Sequence, residues 1–204
     1  LIYLNYCSSF GIELKFLDEE FFMKNPSRSD IENAVNKKTY DEHKAEGPQG
    51  VSCAIITVSD TRNKENDTSG RLIINSLIEN GHKADFYKIV KDEPDQILSS
   101  IETFSKNDSV QVILTNGGTG ITKRDTTFDV VVSILDKEMP GFGELFRNIS
   151  YQEIGTPAIL TRATAGVYND TIIMTLPGSG NACRTALDKI ILPEISHMVR
   201  EVLR

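Results

Sequence analysis

From residue 51 onward, short β-favouring runs alternate with stretches whose apolar residues recur at helical spacing, and this alternation restricts the chain to few architectures. Residues 51–58 (VSCAIITV) form the first such run. Leu72, Ile73, Leu77 and Ile78 then recur at helical spacing until Gly81, a residue suited to ending a helix. Residues 84–90 read as a strand. Pro94 opens a helix with Ile97, Leu98, Ile101 and Phe104 on one face, and residues 110–114 are the next strand. Phe128, Val131, Ile134 and Leu135 continue at helical spacing, residues 144–154 read as another helix, and residues 171–176 are the last clear strand. Leu187, Ile190, Ile191, Ile195 and Val199 make the apolar face of a C-terminal helical stretch adjusted by Pro193. Strands that alternate with helices pair in parallel and are covered on both faces. The expected fold is α/β, a three-layer αβα sandwich with a mostly parallel sheet, formed by a single domain over residues 50–204.

Residues 1–49 read as an N-terminal extension. Residues 1–22 begin with Leu and are expected to be partly non-native, with Met23 as the native start. Residues 24–50 are polar, hold Pro26, Gly47, Pro48 and Gly50, and show little periodicity; one short helix is expected after Ser29-Asp30, which has suitable cap chemistry. The 204 residues, 39% apolar and 25% charged, fit one core of ordinary size. A net charge of −7, from 22 cations and 29 anions, without a basic run speaks against a nucleic-acid surface, so an anionic ligand must be held by local groups. Cys7, Cys53 and Cys183 are odd in number and far apart, indicating neither a disulfide framework nor a zinc site and suiting a reducing cytoplasm. No apolar run approaches the roughly 18 residues of a membrane helix.

In an open parallel sheet, ligands gather outside the carboxyl ends of the strands. Three polar loops leave such ends: Ser59-Asp60, residues 116–125, and residues 177–180. The middle one, LTNGGTGITKRD from Leu114, places three glycines where a strand hands over to a helix. Backbone N–H groups there can approach a phosphate without a Cβ in the way, and the helix adds its positive end. A sharp turn alone would also need glycine, but not Thr115, Asn116, Thr119 and the Lys123-Arg124-Asp125 cluster together. The plainer readings remain open for other residues. Asp125 is a candidate N-cap, Asp92 an exposed residue ahead of the Pro94 helix, and Asp67 and Ser69 caps of the helix near Gly70. Arg162 can simply pair with a carboxylate, and Pro177-Gly178 can simply end a strand. His43, His82 and His197 are isolated.

TNGGTG followed by TKRDTT resembles the signature of the MogA/MoaB molybdenum-cofactor biosynthesis family. VSDTR from Val58, DTSG from Asp67, PGFGE from Pro140, RATAG from Arg162 and LPGSG from Leu176 fall in that family's order and rough spacing, and the likeness, over about residues 50–195, is to the shorter MoaB branch. The resemblance implies transfer of AMP from Mg-ATP to molybdopterin, with release of pyrophosphate. It implies a phosphate cradle at Gly117, Gly118, Thr119 and Gly120, and catalytic carboxylates at Asp92 and Asp125, which would also hold the magnesium. Ser59, Asp60, Asp67, Ser69, Gly70, Thr115, Arg162, Pro177, Gly178 and Ser179 would line the substrate pocket. Two departures stand out: Phe128 replaces the Pro that often follows the R-D-x-T pattern, and the last loop reads Pro-Gly-Ser-Gly rather than ending in Pro.

The rival functions are a non-catalytic molybdopterin carrier and a competence-damage-like nucleotide hydrolase on the same domain. The resemblance also implies a homotrimer or homohexamer, and the chain adds its own hint: residues 130–135 (VVVSIL) with Phe142, Leu145 and Phe146 hold more apolar surface than one helix needs to cover a sheet, an expected subunit contact.

Overall fold

The computed structural model describes residues 21, 24, 26–45 and 47–204, so the expectations for residues 1–22, residue 21 apart, and for Met23 as the start lie outside the described residues. The chain divides into two compact units, Leu1–Glu46 and Gly47–Arg204. The first holds α1, Arg28–Ala45, which at 18 residues is far longer than the short helix expected. Its start is also one turn-position earlier. Ser27 Oγ donates to Asp30 Oδ2 at 2.6 Å while Asp30 N–H donates back to Ser27 Oγ at 3.3 Å, a reciprocal cap built on Ser27 rather than Ser29. Good helix formers without apolar periodicity make such a helix hard to see in sequence.

The second unit is built on a six-stranded sheet of order β2-β1-β3-β6-β5-β4. The strands are β1 Ser52–Val58, β2 Lys83–Val90, β3 Val112–Asn116, β4 Lys137–Glu138, β5 Thr164–Tyr168 and β6 Thr171–Leu176. The first four in spatial order run parallel; β5 is antiparallel to β6 and β4 antiparallel to β5. The helices are α2 Thr68–Glu79, α3 Pro94–Ser105, α4 Thr127–Ile134, α5 Pro140–Ile154, α6 Gly180–Ala186 and α7 Leu192–Val202. Side chains of β1 alternate between two cores. Cys53 and Ile55 join Ile73 and Leu77 of α2, Phe142 and Phe146 of α5, and Ile195 and Val199 of α7. Ala54, Ile56 and Val58 join Ile97 and Ile101 of α3 and Val131 of α4. Each fully buried Ile or Leu contributes about 1.5–3 kcal/mol, so both faces of the sheet are sealed and the expected three-layer α/β sandwich is observed.

Strands β4 and β5 were not expected. Their signal is a two-residue turn: Asn169 and Asp170 both have positive φ (48° and 55°), the backbone a tight hairpin between β5 and β6 demands. The Asn169 side chain donates to Ser105 O at 2.7 Å and fastens the turn to the end of α3. At the C-terminus, Pro193 sits in the first turn of α7, and the segment Leu187–Ile191 before it widens into a π-turn. A proline withholds one amide from the helical ladder, which gives the backbone cause to rearrange there.

One further expectation is corrected. Val131, Phe142 and Phe146 are 0%, 4% and 1% exposed, locked in the chain's own cores, with the Phe142 and Phe146 rings stacked 6.3 Å apart. They have no surface to offer a second subunit, whereas Val130, Val132, Ile134 and Leu135 of the same expected patch are only partly buried. Leu145, Tyr151, Ile154, Ile159 and Leu160 are the exposed large apolar residues of that region. Among the described residues no helix is long and apolar enough to cross a membrane.

The register aligns the strand ends that matter. Val58 is level with Val90, Thr57 with Asn116, and Asn116 with Leu176. Four loops therefore leave one edge of the sheet: the three expected ones and the β2–α3 turn that carries Asp92.

Candidate functional site

The glycine loop uses its missing Cβ atoms for close approach. Gly117 (φ 98°) donates its N–H to Leu176 O at 3.0 Å, and a Cβ there would collide with Val58 O. Gly118 (φ 65°) leaves the room in which Thr127 Oγ1 and Asp92 Oδ2 stand, the latter 2.6 Å from where a Cβ would be; Gly120 does the same for Asp125 Oδ2, also at 2.6 Å. Both positive φ values favour glycine on backbone grounds as well. The strand does not pass straight into a helix, however. Helix α4 begins only at Thr127, whose N–H donates to Gly118 O at 2.9 Å. The positive end of α4 is directed at a protein carboxylate: Asp92 Oδ1 accepts from Thr126 N–H at 3.0 Å and from Thr126 Oγ1 at 2.7 Å.

Asp92 is thus not the exposed residue that sequence position allowed; it is 8% exposed and welds the β2–α3 turn to the start of α4. Its Oδ2, bordering Gly118, has no hydrogen bond among the described residues. Asp125 does not cap α4 either, since the cap position is Thr126. Its Oδ2 accepts from Thr122 N–H at 2.9 Å and Thr122 Oγ1 at 2.6 Å. The Thr122 hydroxyl, with burial opposing and the Thr122 and Gly120 amides and the Arg162 charge assisting, holds the Asp125 carboxyl below its ordinary range, so it is ionised at neutral pH.

Two arginines hold this loop in place. Arg162 pairs with Asp129 at 2.9 Å as the plain reading allowed, but it also donates to Gly120 O at 2.8 Å and to Asp125 O at 3.0 Å. Its guanidinium lies 4.9 Å above the Phe128 ring, which gives that departure from the family pattern a use. Arg162 therefore shapes the loop backbone from behind. Arg124 grips Asp60 at 2.8 Å and Glu93 at 2.7 Å, tying the glycine loop to the β1 and β2 loops. The Arg124 hydrogen bonds hold the Asp60 carboxyl below its ordinary range.

Beneath the loops lies a buried polar cluster of which sequence reasoning named Asp67, as the cap of the helix near Gly70, and Ser69, but not Thr57, Arg62 or Tyr87. Asp67, fully buried, caps α2 through Gly70 N–H at 3.0 Å and accepts from Thr57 Oγ1 and Tyr87 OH, both at 2.6 Å, and from Arg62 Nη1 at 3.3 Å. Burial alone would raise its pKa, but those donors and the Arg62 charge outweigh it and pull the carboxyl below its ordinary value. Burial, with Asp67 beside it, pushes the Tyr87 phenol up to about 12, so the phenol keeps its proton as a donor. Arg62 reaches on to Gly178 O at 2.8 Å, which also accepts from Ser69 Oγ at 2.9 Å. Gly178 in turn packs so tightly on Gly117 that a Cβ would stand 3.3 Å from the Gly117 Cα. Arg62 and Tyr87 went unassigned because nothing local in sequence links them to Gly178 or Asp67.

Two cavities open along the edge. One, about 360 Å³, is lined by loop residues 117–120 with Asp125, Pro177 and Gly178; the other, about 620 Å³, includes Ser59, Asp60 and Arg62 in its wall. The remaining expected pocket residues stand outside both walls. Asp67, Ser69, Gly70 and Arg162 support the loops, and Ser179 caps α6 by accepting from Ala182 N–H at 3.3 Å. Thr115 is fully buried, with its hydroxyl unpartnered among the described residues. Among the described residues no three His, Cys, Asp or Glu side chains cluster as metal ligands. Asp92 Oδ2 stands against Gly118 and Asp125 Oδ2 against Gly120, two carboxylates against one loop, of the chemistry that holds a hard divalent cation whose shell is completed by phosphate and water.

Comparison with known proteins identifies the family of the chain. Residues 54–197 match the family described as probable molybdopterin binding domain. Molybdenum cofactor biosynthesis protein B of Bacillus cereus is 48% identical over 164 residues, 80% of this chain and 97% of that protein. A crystal structure of a molybdenum cofactor biosynthesis protein B superposes with a TM-score of 0.76 at 48% identity, covering 78% of this chain and 99% of that one. The tungsten cofactor synthesizing protein MoaB from Pyrococcus furiosus gives 0.71 at 38% identity, covering 77% and 99%. The chain belongs to the MogA/MoaB family of molybdenum-cofactor biosynthesis proteins, on its MoaB branch.

Proposed function

We propose that this protein transfers AMP from Mg-ATP to molybdopterin, giving adenylylated molybdopterin and pyrophosphate. The observation that carries the reading is the pair of carboxylates, Asp92 and Asp125, brought against the glycine loop from two different strand ends. The loop's backbone donors and Thr119 would bind the molybdopterin phosphate in the smaller cavity, with Pro177 and Gly178 closing its far wall. A phosphate oxygen is already anionic at neutral pH and needs no general base, so alignment and charge neutralisation supply the rate. Asp92 and Asp125 would hold the magnesium, whose charge, when bound, offsets that of the triphosphate. Arg124 and Arg162 keep the two carboxylate-bearing segments in register while this happens.

The cytoplasm as location, and residues 50–204 as the working domain, belong to the same proposal. Pyrophosphate release from ATP and Mg²⁺ that depends on added molybdopterin is the expected result. Tight molybdopterin binding without any pyrophosphate release would leave a carrier in place of an enzyme.

A further inference from the structure

The larger cavity has no ligand in the reading above, and its wall is chemically unlike the smaller one. It wraps the outer edge of β2, where Lys64, Lys88 and Lys91 stand around it. None of the three forms an ion pair among the described residues, in a chain with seven more acidic than basic side chains. Neutral donors face the same space. Ser59 Oγ already accepts from the Thr61 and Arg62 amides at 3.3 and 3.2 Å, which leaves its hydroxyl proton to give away. Gln96 accepts the Lys91 N–H through Oε1 at 3.3 Å, leaving its amide NH₂ for a ligand. Three ammonium groups outside any ion pair among the described residues, of which Lys91 is near enough to Asp60 to help hold that carboxylate ionised, make with the two spare donors a receptor for a compact polyanion.

The position of this cavity relative to the glycine loop makes the polyanion specific. Asp60 forms part of its wall, and Asp60 Oδ1 accepts the Asp92 N–H at 3.3 Å, while the Asp92 carboxylate faces Gly118 of the smaller cavity. The Asp60–Asp92 link, braced by Arg124, is thus the ridge between the two. In-line phosphoryl chemistry requires the attacking and leaving oxygens on opposite sides of the phosphorus. We propose that the cavity lined by Lys64, Lys88 and Lys91 is the polyphosphate subsite, binding the β- and γ-phosphates of a nucleoside triphosphate and then the pyrophosphate that departs. Resting on the adenylyl-transfer reading, the step balances without redox or proton transfer. An oxygen of the acceptor phosphate bonds to the α-phosphorus over the ridge, the bond from that phosphorus to the β-bridging oxygen breaks, and the electron pair leaves with pyrophosphate into the lysine cavity.

The test is calorimetric titration of inorganic pyrophosphate, with Mg²⁺ and at fixed ionic strength, into the wild-type protein, Lys88→Ala/Lys91→Ala and Lys88→Arg/Lys91→Arg. The alanine pair is expected to weaken pyrophosphate at least about tenfold, the scale of one lost charge-assisted hydrogen bond. It is expected to raise the KM for ATP in parallel and leave molybdopterin affinity unchanged, and the arginine pair is expected to retain most of the binding. Unchanged pyrophosphate affinity in the alanine pair, the result expected of lysines that only guard an exposed sheet edge, overturns the proposal, as does a wild-type protein that binds no pyrophosphate. Lysine-dependent pyrophosphate binding without AMP transfer would sustain the subsite and remove the transfer reading. Transfer at wild-type KM for ATP in the alanine pair would do the reverse.

Discussion

Asp92 and Asp125 stand against neighbouring glycines of one loop, Gly118 and Gly120, but carry different structural duties, and substitution should separate them. Asp92 Oδ1 secures the start of α4 through Thr126, a duty Asn can keep and Ala cannot. Asp92→Asn is expected to retain stability and molybdopterin affinity and to lose AMP transfer. Asp92→Ala should lose transfer and about 1 kcal/mol of stability besides, the usual cost of a missing cap. Denaturant midpoints of the two variants check this, and equal midpoints would deny Asp92 its bracing role. Asp67 belongs to the support. Asp67→Ala removes the partner of a half-buried arginine and the acceptor for Thr57 and Tyr87, with an expected loss of about 3 kcal/mol; a midpoint shift under about 1 kcal/mol would contradict the network. At this scale the sequence was legible where chemistry is packed into a short run, as in TNGGTGITKRD. It was opaque where partners lie far apart in the chain, as with Arg62 and Gly178.

Elements were legible to the extent that they are periodic. The four parallel strands and the helices that cover them follow from alternating burial, whereas β4 has two residues and β5 lies in a segment already claimed by a loop motif. The Asn169–Asp170 turn predicts its own improvement. Asp170→Gly removes a non-glycine residue from the left-handed region and is expected to stabilise the hairpin by about 0.5–1 kcal/mol. The α2–β2 junction makes a pH prediction. His82 Nδ1 accepts the Val51 N–H at 3.2 Å, and burial lowers the His82 pKa below its ordinary 6.5. The folded state therefore favours the neutral ring, so the unfolded chain binds more protons as pH drops through this range. His82 contributes its full stability above pH 6.5 and loses it as pH falls from there toward the lowered folded value. Urea midpoints should fall between about pH 7.5 and pH 5.5 more steeply in the wild type than in His82→Gln. Identical slopes would remove His82 from the account.

At the scale of the molecule, the extension and the assembly are the open proposals. Deleting residues 1–46, which lie before the family match, is expected to leave melting temperature and pyrophosphate release nearly unchanged. A large drop would make that unit part of the working protein. The homotrimer or homohexamer implied by the family resemblance now has to use the apolar residues that are exposed. Ile159, 84% exposed, is the substitution of choice, because Phe146→Glu would break the core. Light scattering should give a trimeric or hexameric mass for the wild type and a smaller one for Ile159→Glu. The central claim is that a glycine loop flanked by Asp92 and Asp125 performs adenylyl transfer rather than storage, and single-turnover formation of adenylylated molybdopterin from ATP, Mg²⁺ and molybdopterin tests it most directly. The account predicts product from the wild type and, from Asp125→Asn, unchanged molybdopterin binding with product formation slowed at least about a hundredfold; equal rates for the two proteins would contradict it.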